Sequence, residues 1–331
     1  MNISAILSEF GFNEPPLSIS KIGNGHINST WLAEFKSDKI IIQSLNNNVF
    51  KDFQAVANNI EIISAIFNKL PYSDVTIPFF FSTSDGKKSL IDDNLMYRVY
   101  SYSENSSPKN SIFLTGYAYG KFIRIITDNK PKKQSFIPTI SNFHSFPHYF
   151  RKLTMLEKES ALKKLDKGII ARISSLLDTL ISVFDNDLTK RIIHNDAKAD
   201  NVILGSPLTV IDLDTVMEGY VAIDYGDTIR SLTTKNFSLD AIREVTKGYA
   251  HGLDGLLSND EIISLFYGIL YVTGELAVRY LSDYIGNSGY FSDKTPSMCL
   301  SRANELFSQL NIFTMHQDDI TSIIYDSFHK N

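Results

Sequence analysis

The residues best suited to chemistry lie in one stretch, Arg191-Ile-Ile-His-Asn-Asp-Ala-Lys-Ala-Asp-Asn-Val-Ile-Leu204, followed by Val210-Ile-Asp-Leu-Asp-Thr-Val216. Phosphoryl transfer from ATP needs a carboxylate to orient or deprotonate the attacking hydroxyl, a cation near the moving phosphoryl group, and oxygen ligands for Mg²⁺. His194-x-Asp196 supplies the carboxylate and Lys198 lies two residues on. Asn201 lies five residues after Asp196, and Asp212 sixteen after it, at the end of an apolar strand pattern. A lone Asp or Asn in a turn is ordinarily a solvated loop residue or an Asx-turn. Five such residue types at fixed offsets arise by chance about once in a few million starts, taking each residue near one in twenty. The joint spacing therefore favours a phosphoryl-transfer site, with Asn201 and Asp212 brought together by the two strands that bracket the loop.

The elements that must position these residues change character along the chain. Strand patterns cover Leu17–Gly23, Ser29–Phe35 and Lys39–Leu45, and a helical pattern runs over Phe50–Leu70 before Pro71. Further strand patterns follow at Val75–Ser82, Lys88–Ile91 and Leu95–Tyr102, the first two separated by the turn Ser84-Asp-Gly-Lys87. The polar stretch Ser101-Tyr-Ser-Glu-Asn-Ser-Ser-Pro108 is the best boundary in the chain. Beyond it, helical spacing covers Ser111–Asp128, His148–Lys164, Lys167–Phe184, Leu239–Leu257, Asn259–Tyr284 and Ser297–Met315. The expected architecture is α+β in two lobes: a small antiparallel β lobe over residues 1–103 and a larger, mainly helical lobe over residues 104–331.

Composition narrows the function classes. The 331 residues are 43% apolar and 21% charged with a net charge of −5, which describes a folded chain with no electrostatic case for a nucleic acid partner. Cys299 is the single cysteine, so neither an intrachain disulfide nor a cysteine-built metal site can form, and a reducing compartment is expected. The first ten residues lack a basic segment with a long apolar run, and no run of 18 consecutive apolar residues occurs. A cytoplasmic protein with no membrane partner is the expectation.

His194-Asn-Asp-Ala-Lys-Ala-Asp-Asn201 with Ile211-Asp-Leu-Asp214 resembles the catalytic loop and metal motif of the aminoglycoside phosphotransferase and choline kinase superfamily, whose fold is protein-kinase-like. Other pieces are similar to the N-acetylhexosamine 1-kinases within it. These are Gly23-Asn-Gly-His-Ile-Asn-Ser-Thr30, Gln43-Ser-Leu-Asn-Asn-Asn-Val-Phe50, Ile140-Ser-Asn-Phe-His144, Val210 to Gly219, Asp224 to Arg230, and Glu275 to Tyr284 with Tyr290-Phe291. The resemblance implies an ATP- and Mg²⁺-dependent kinase of a small-molecule acceptor, phosphorylating the anomeric hydroxyl of an N-acetylhexosamine. It implies Asp196 as the base, Lys198 near the γ-phosphate, and Asn201 and Asp212 as Mg²⁺ ligands. Asp214 would be either a second metal ligand or a loop carboxylate. Asp224, placed before the helical pattern Tyr225–Leu232, would cap that helix and brace the catalytic loop, with Asp227 and Arg230 a local i,i+3 ion pair.

The turn Gly23-Asn24-Gly25 would let backbone approach the nucleotide phosphates, with His26 facing either phosphate or sugar. Adenine would meet the backbone around Arg98–Glu104. Arg279 and Tyr290 match sugar-binding positions; the alternatives are a helix-surface arginine and a packed tyrosine. One departure stands out. Where a protein kinase carries lysine on its third strand, this chain reads Ile40-Ile-Ile-Gln43, so Gln43 would touch phosphate as a neutral contact, with Glu61 either beside it or in solvent. The alternatives are a kinase of another small alcohol, such as choline, an amino alcohol or an aminoglycoside, and a catalytically silent nucleotide- or sugar-binding protein.

Overall fold

A computed structural model describes residues 2–22, 28–47, 49–92, 95–106, 108–160, 165–185, 188–286, 291 and 294–329. In chain order the elements are α1 (Ile3–Glu9), β1 (Ser18–Ile22), β2 (Ser29–Glu34), β3 (Lys39–Asn46), α2 (Phe53–Phe67), β4 (Val75–Thr76), β5 (Leu90–Asp92), β6 (Leu95–Ser101) and α3 (Ser111–Asn129). They continue with α4 (Phe146–Glu159), α5 (Lys167–Phe184), β7 (Arg191–Ile193), β8 (Val202–Ile203), β9 (Leu208–Val210), β10 (Met217–Gly219), α6 (Val221–Leu232), α7 (Leu239–Leu253), α8 (Asn259–Gly286), α9 (Pro296–Met315) and α10 (Gln317–His329). Two compact units result. The first is Met1–Ser111, Phe122–Ser141 and Asp200–Glu218; the second is Ile112–Lys121, Asn142–Ala199 and Gly219–Asn331.

The first unit is built on a five-stranded sheet in the order β1-β2-β3-β6-β5, with all neighbours antiparallel. Alternation on β3 sends Ile40 and Ile42 to one face, where they pack with Ala33, Tyr97 and Val99 against Ile6, Leu7 and Phe10 of α1. Asn2 starts α1 by accepting a hydrogen bond from the Ala5 amide at 2.8 Å, and Asp52 does the same for α2 from Ala55 at 3.0 Å. The opposite face presents Ile41, Gln43 and Leu45 beside their register partners Tyr100, Arg98 and Met96. Two polar side chains on an otherwise apolar face must satisfy each other.

Two local expectations give way in this unit. Within Val75–Ser82 only Val75–Thr76 is strand, and it pairs in parallel with Leu208–Thr209 in a small sheet ordered β4-β9-β8. Pro78 has no amide to donate, which ends the ladder. Glu61 neither meets Gln43 nor faces solvent alone: its Oε1 accepts the Lys88 amide at 2.6 Å.

The second unit is organised around α8, which packs on α4, α5, α6, α9 and α10. Among the described residues it is the one helix long and apolar enough to cross a membrane, and most of that apolar window is buried inside the unit. The helix α6 reaches it backbone to backbone. A Cβ placed on Gly268 would lie 1.9 Å from the Ala222 carbonyl oxygen, and one on Gly226 would lie 2.3 Å from the Gly268 carbonyl oxygen. Helix α10, absent from the sequence expectation, buries Ile320, Ile323, Ile324 and Ser327 at helical spacing.

The replacement Gly268→Ala forces backbone apart between α6 and α8, and overpacking of this kind costs ~1–3 kcal/mol. Urea unfolding should show a lower midpoint for Gly268→Ala than for Gly255→Ala; Gly255 has open space around it, and any loss there comes from its φ of +71° alone.

Candidate active site

Residues 194–198 have no regular secondary structure of their own on which to rest, so side chains hold their backbone. Asp224 accepts the His194 and Asn195 amides, each at 2.7 Å. Thr228 donates its hydroxyl to the Ala197 carbonyl at 2.7 Å, and the Ser231 hydroxyl accepts the Ala199 amide at 3.0 Å. These three residues fall at i, i+4 and i+7 on α6 and form one stripe. Tyr119 donates to the Lys198 carbonyl at 2.6 Å and meets the buried His194 ring edge-on. Asp224 thus braces the loop as expected, but it does not cap the helix: it sits in the first turn of α6, whose N-cap is Tyr220. Burial pushes its carboxyl up to about 7, against the two amides that draw it down.

The braced loop presents Asp196 with its side chain 30% exposed, in a 2.8 Å ion pair with Lys198. Burial works against the ionised carboxyl, yet Lys198, aided by His194 and Arg230, holds it below the usual carboxylate range. Asp196 is therefore a carboxylate at neutral pH, able to accept a proton. Asp227 and Arg230 form the expected pair, with guanidinium nitrogens 2.8 and 2.6 Å from one carboxylate oxygen. Among the described residues, non-glycine residues at positive φ are Asn142, His144, Asn195, Asp212 and Asp254. Four of these five lie in the motif stretches.

In the first unit, the β8–β9 hairpin pairs Val202 with Val210, and the Ile211 amide donates to the Asn201 carbonyl at 3.0 Å. Asn201 and Asp212 therefore flank the open end of one hairpin. Asp212 has φ 60° and ψ 55°, a left-handed conformation that aspartate adopts more readily than most residues. An amide oxygen and a carboxylate suit a hard cation that keeps waters and phosphate oxygens in its shell.

Asp214 and Gln43 have other work in this structure. The guanidinium of Arg98 is 2% exposed, pairs through Nη1 with Asp214 Oδ1, and donates from Nε and Nη2 to Gln43 Oε1 at 2.9 and 2.6 Å. Asn28 donates to Asp214 Oδ2 at 2.7 Å, and Gln43 Nε2 donates to Thr30 Oγ1 at 3.2 Å. Burial opposes the charge on Arg98, but Asp214 holds the guanidinium above its ordinary pKa. The chain that lacks a third-strand lysine thus carries a buried cation on the adjacent strand, directly across the ladder from Gln43. A single charged residue inside the apolar run Leu95-Met-Tyr-Arg-Val-Tyr100 was the available signal for it.

Gly23, Asn24, Gly25, His26 and Tyr290 lie outside the described residues. Arg279 is buried on α8, not on its surface, with its guanidinium 5.8 Å from the Phe143 ring and 5.1 Å from the Tyr149 ring. It also pairs with Glu275 Oε1 at 3.5 Å, whose other oxygen lies 2.9 Å from His144 Nδ1. His144 and Glu275 carried no assigned role on spacing alone, because 131 residues separate them.

Comparison with known proteins bears on this site. Residues 137–257 match the Phosphotransferase enzyme family. The matched residues include the whole 194–214 stretch. Solved structures with the same kinase-like fold include a microcompartment-associated aminopropanol kinase, 14% identical at a TM-score of 0.66 over 97% of this chain and 99% of that one. A choline kinase from Cryptosporidium parvum is 11% identical at 0.64 over 99% of both chains. A wild-type aminoglycoside 2'-phosphotransferase in complex with GDP is 15% identical at 0.59, over 93% of this chain and 97% of the other.

Replacing Arg98 by Met leaves Asp214 a buried, uncompensated charge. Breaking a buried ion pair from one side costs ~3–5 kcal/mol, so denaturant unfolding of Arg98→Met should show a loss of that size. The double replacement Arg98→Met with Asp214→Leu should recover much of it.

Proposed function

We propose that this chain transfers the γ-phosphoryl group of ATP to a hydroxyl of a small neutral acceptor, the anomeric hydroxyl of an N-acetylhexosamine. The observation that carries the reading is Asp196: an ionised, partly open carboxylate on a loop whose backbone is fixed by Asp224, Thr228, Ser231 and Tyr119. In the reaction the acceptor oxygen forms a bond to Pγ as the bond from Pγ to the bridging β,γ-oxygen breaks. The hydroxyl proton passes to Asp196, and ADP leaves with the electron pair. Lys198, paired with Asp196 in this structure, would turn its ammonium to the transferring phosphoryl once substrate fills the site.

Asn201 and Asp212 would hold Mg²⁺, which neutralises triphosphate charge when bound. Gly23, Asn24, Gly25 and His26 would approach the phosphates. Gln43 and Asp214 would act by holding Arg98. In the acceptor region Arg279 and Tyr290 would meet sugar hydroxyl or acetyl oxygens.

A kinase of a cationic amino alcohol is the main rival, and the fold neighbours include enzymes of that kind. A cationic head group would want open aromatic faces or a spare carboxylate. Phe143 and Tyr149 already face the Arg279 guanidinium, and Glu275 is shared between Arg279 and His144. The neutral acceptor is the better fit.

Coupled ADP-release assays across hexoses, N-acetylhexosamines, choline and amino alcohols will separate these readings. Turnover should be highest with an N-acetylhexosamine, with the product phosphorylated at the anomeric carbon by NMR. The Asp196→Asn variant should lose ~10²–10⁴-fold in kcat. Turnover that survives Asp196→Asn would falsify the assigned base, and phosphate on another ring hydroxyl would overturn the 1-kinase reading.

A further inference from the structure

The imidazole of His144 connects two parts of the second unit that the reaction uses. Nδ1 lies 2.9 Å from Glu275 Oε2, and Nε2 lies 2.7 Å from the backbone carbonyl oxygen of Asn195. Both partners are acceptors only, so both hydrogen bonds are made when each ring nitrogen carries a proton, which is the imidazolium form. The ring is held from several sides. Its own residue is in the left-handed region at φ 54°, its carbonyl accepts the Tyr271 hydroxyl at 2.7 Å, and the Phe143 ring lies 4.4 Å from it. Tyr271 is fixed in turn, because its hydroxyl accepts the Phe146 amide at 3.0 Å. Strained backbone with this many restraints marks a group whose position matters.

The partner peptide is the one that enters the candidate base. Asn195 is itself left-handed at φ 62°, its amide is taken by Asp224, and its carbonyl is taken by His144. Asn195 is therefore gripped on both sides, by an anion at its N–H and a cation at its C=O, and the N–H of the Asn195–Asp196 peptide donates to His194 Nδ1 at 3.3 Å. On the far side, Glu275 joins His144 to Arg279, whose guanidinium lies over Phe143 and Tyr149.

We propose that His144 is a positioning residue that fixes the Asn195–Asp196 peptide through its Nε2 hydrogen bond and links it, through Glu275, to Arg279 at the acceptor region. The proposal rests on the phosphotransfer reading, in which Asp196 receives the acceptor proton. A change at Arg279 when the acceptor binds would then reach the catalytic loop through one carboxylate and one ring, which gives specificity a route to kcat as well as to KM.

The linkage has a pH signature. Burial works against charge on the ring, but Glu275, the Asn195 carbonyl and Asp227 raise His144 to about 9 from an ordinary 6.5. The charged and titratable groups around it are Glu275, Arg279 and Tyr271 on α8, Asp224, Asp227 and its partner Arg230 on α6, and His194 and Asp196 in the loop. Because the folded value lies above the unfolded one, the stabilisation is complete below about 6.5. It is lost as pH rises through about 9.

The test compares wild type with His144→Ala, His144→Gln, Glu275→Gln and Asp196→Asn. His144→Ala should lower kcat by about 10- to 100-fold while KM for ATP stays within about twofold. His144→Gln keeps a neutral donor and should recover part of that kcat. It should also abolish the alkaline fall in kcat that wild type shows near the His144 value. Independently of activity, ¹⁵N-histidine NMR should find His144 titrating near 9 in wild type and lower in Glu275→Gln. Wild-type kcat in His144→Ala, an unchanged alkaline limb in His144→Gln, or titration of His144 near the ordinary histidine value would each overturn the proposal. If Asp196→Asn alone retains turnover, the phosphotransfer reading fails instead, while the NMR arm still reports on the His144–Glu275 contact.

Discussion

The structure depends first on a mismatch between a helix and a loop. A catalytic loop cannot satisfy its own backbone, because chain spent on regular hydrogen bonding is not free to present side chains. Helix α6 resolves this with Asp224, Thr228 and Ser231, one residue per turn on a single face, which together hold the loop from His194 to Ala199. The stripe works only if α6 is itself immobile. Gly226 and Gly268 let it lie directly on the backbone of α8, and α8 is the most heavily packed helix of its unit. A tight helix crossing thus sets where the loop carrying Asp196 is held.

The first unit solves a different problem with buried charge. One face of its sheet must present polar groups, and these are expensive to bury unless paired. Arg98, Gln43, Asp214, Asn28 and Thr30 satisfy one another, so the segment after β9 that carries Asp212 and Asp214 is tied to the middle of the sheet. Arginine suits this because its planar fork serves a carboxylate and an amide oxygen at once, which a lysine ammonium does less well. The apparent gap at the third strand is therefore not a gap in charge. The cation has moved one strand over, and glutamine is the residue that receives it.

What the sequence revealed follows from which interactions are local. Periodicity located most helices and the first three strands within a few residues, because burial of one face leaves a repeating mark. The pattern at Val75–Ser82 contained the strand Val75–Thr76 but not its length or pairing, since its partner lies at Leu208–Thr209 and nothing nearby announces it. The helix α10 carried its apolar residues at the right spacing but follows α9 with only His316 between them, so no glycine or proline separated the two. At the site, the run from His194 to Asp214 was legible because it is contiguous. The pairs Arg98–Asp214 and His144–Glu275 were not, because each joins residues more than a hundred positions apart through a geometry only the fold creates.

The two buried networks also differ in what they can do, and the difference lies in the protonation chemistry of their cations. Arg98 cannot release its proton in any accessible pH range, so its network is a fixed brace whose strength is constant. His144 can, and its two hydrogen bonds, to Glu275 and to the Asn195 carbonyl, are both made only by the charged ring, which Glu275 favours against burial. A histidine between a carboxylate and a backbone carbonyl is stiff when charged and loses one donor when neutral. Placing the permanent cation against Asp214 and the titratable one against the Asn195 carbonyl gives the chain one rigid support and one adjustable support. The adjustable one is also joined, through Glu275, to the guanidinium of Arg279. Under the proposed reaction, acceptor recognition at Arg279 and placement of Asp196 would share one buried carboxylate, Glu275. Under that proposal a neutral acceptor, which leaves the carboxylate's charge balance undisturbed, would suit the arrangement.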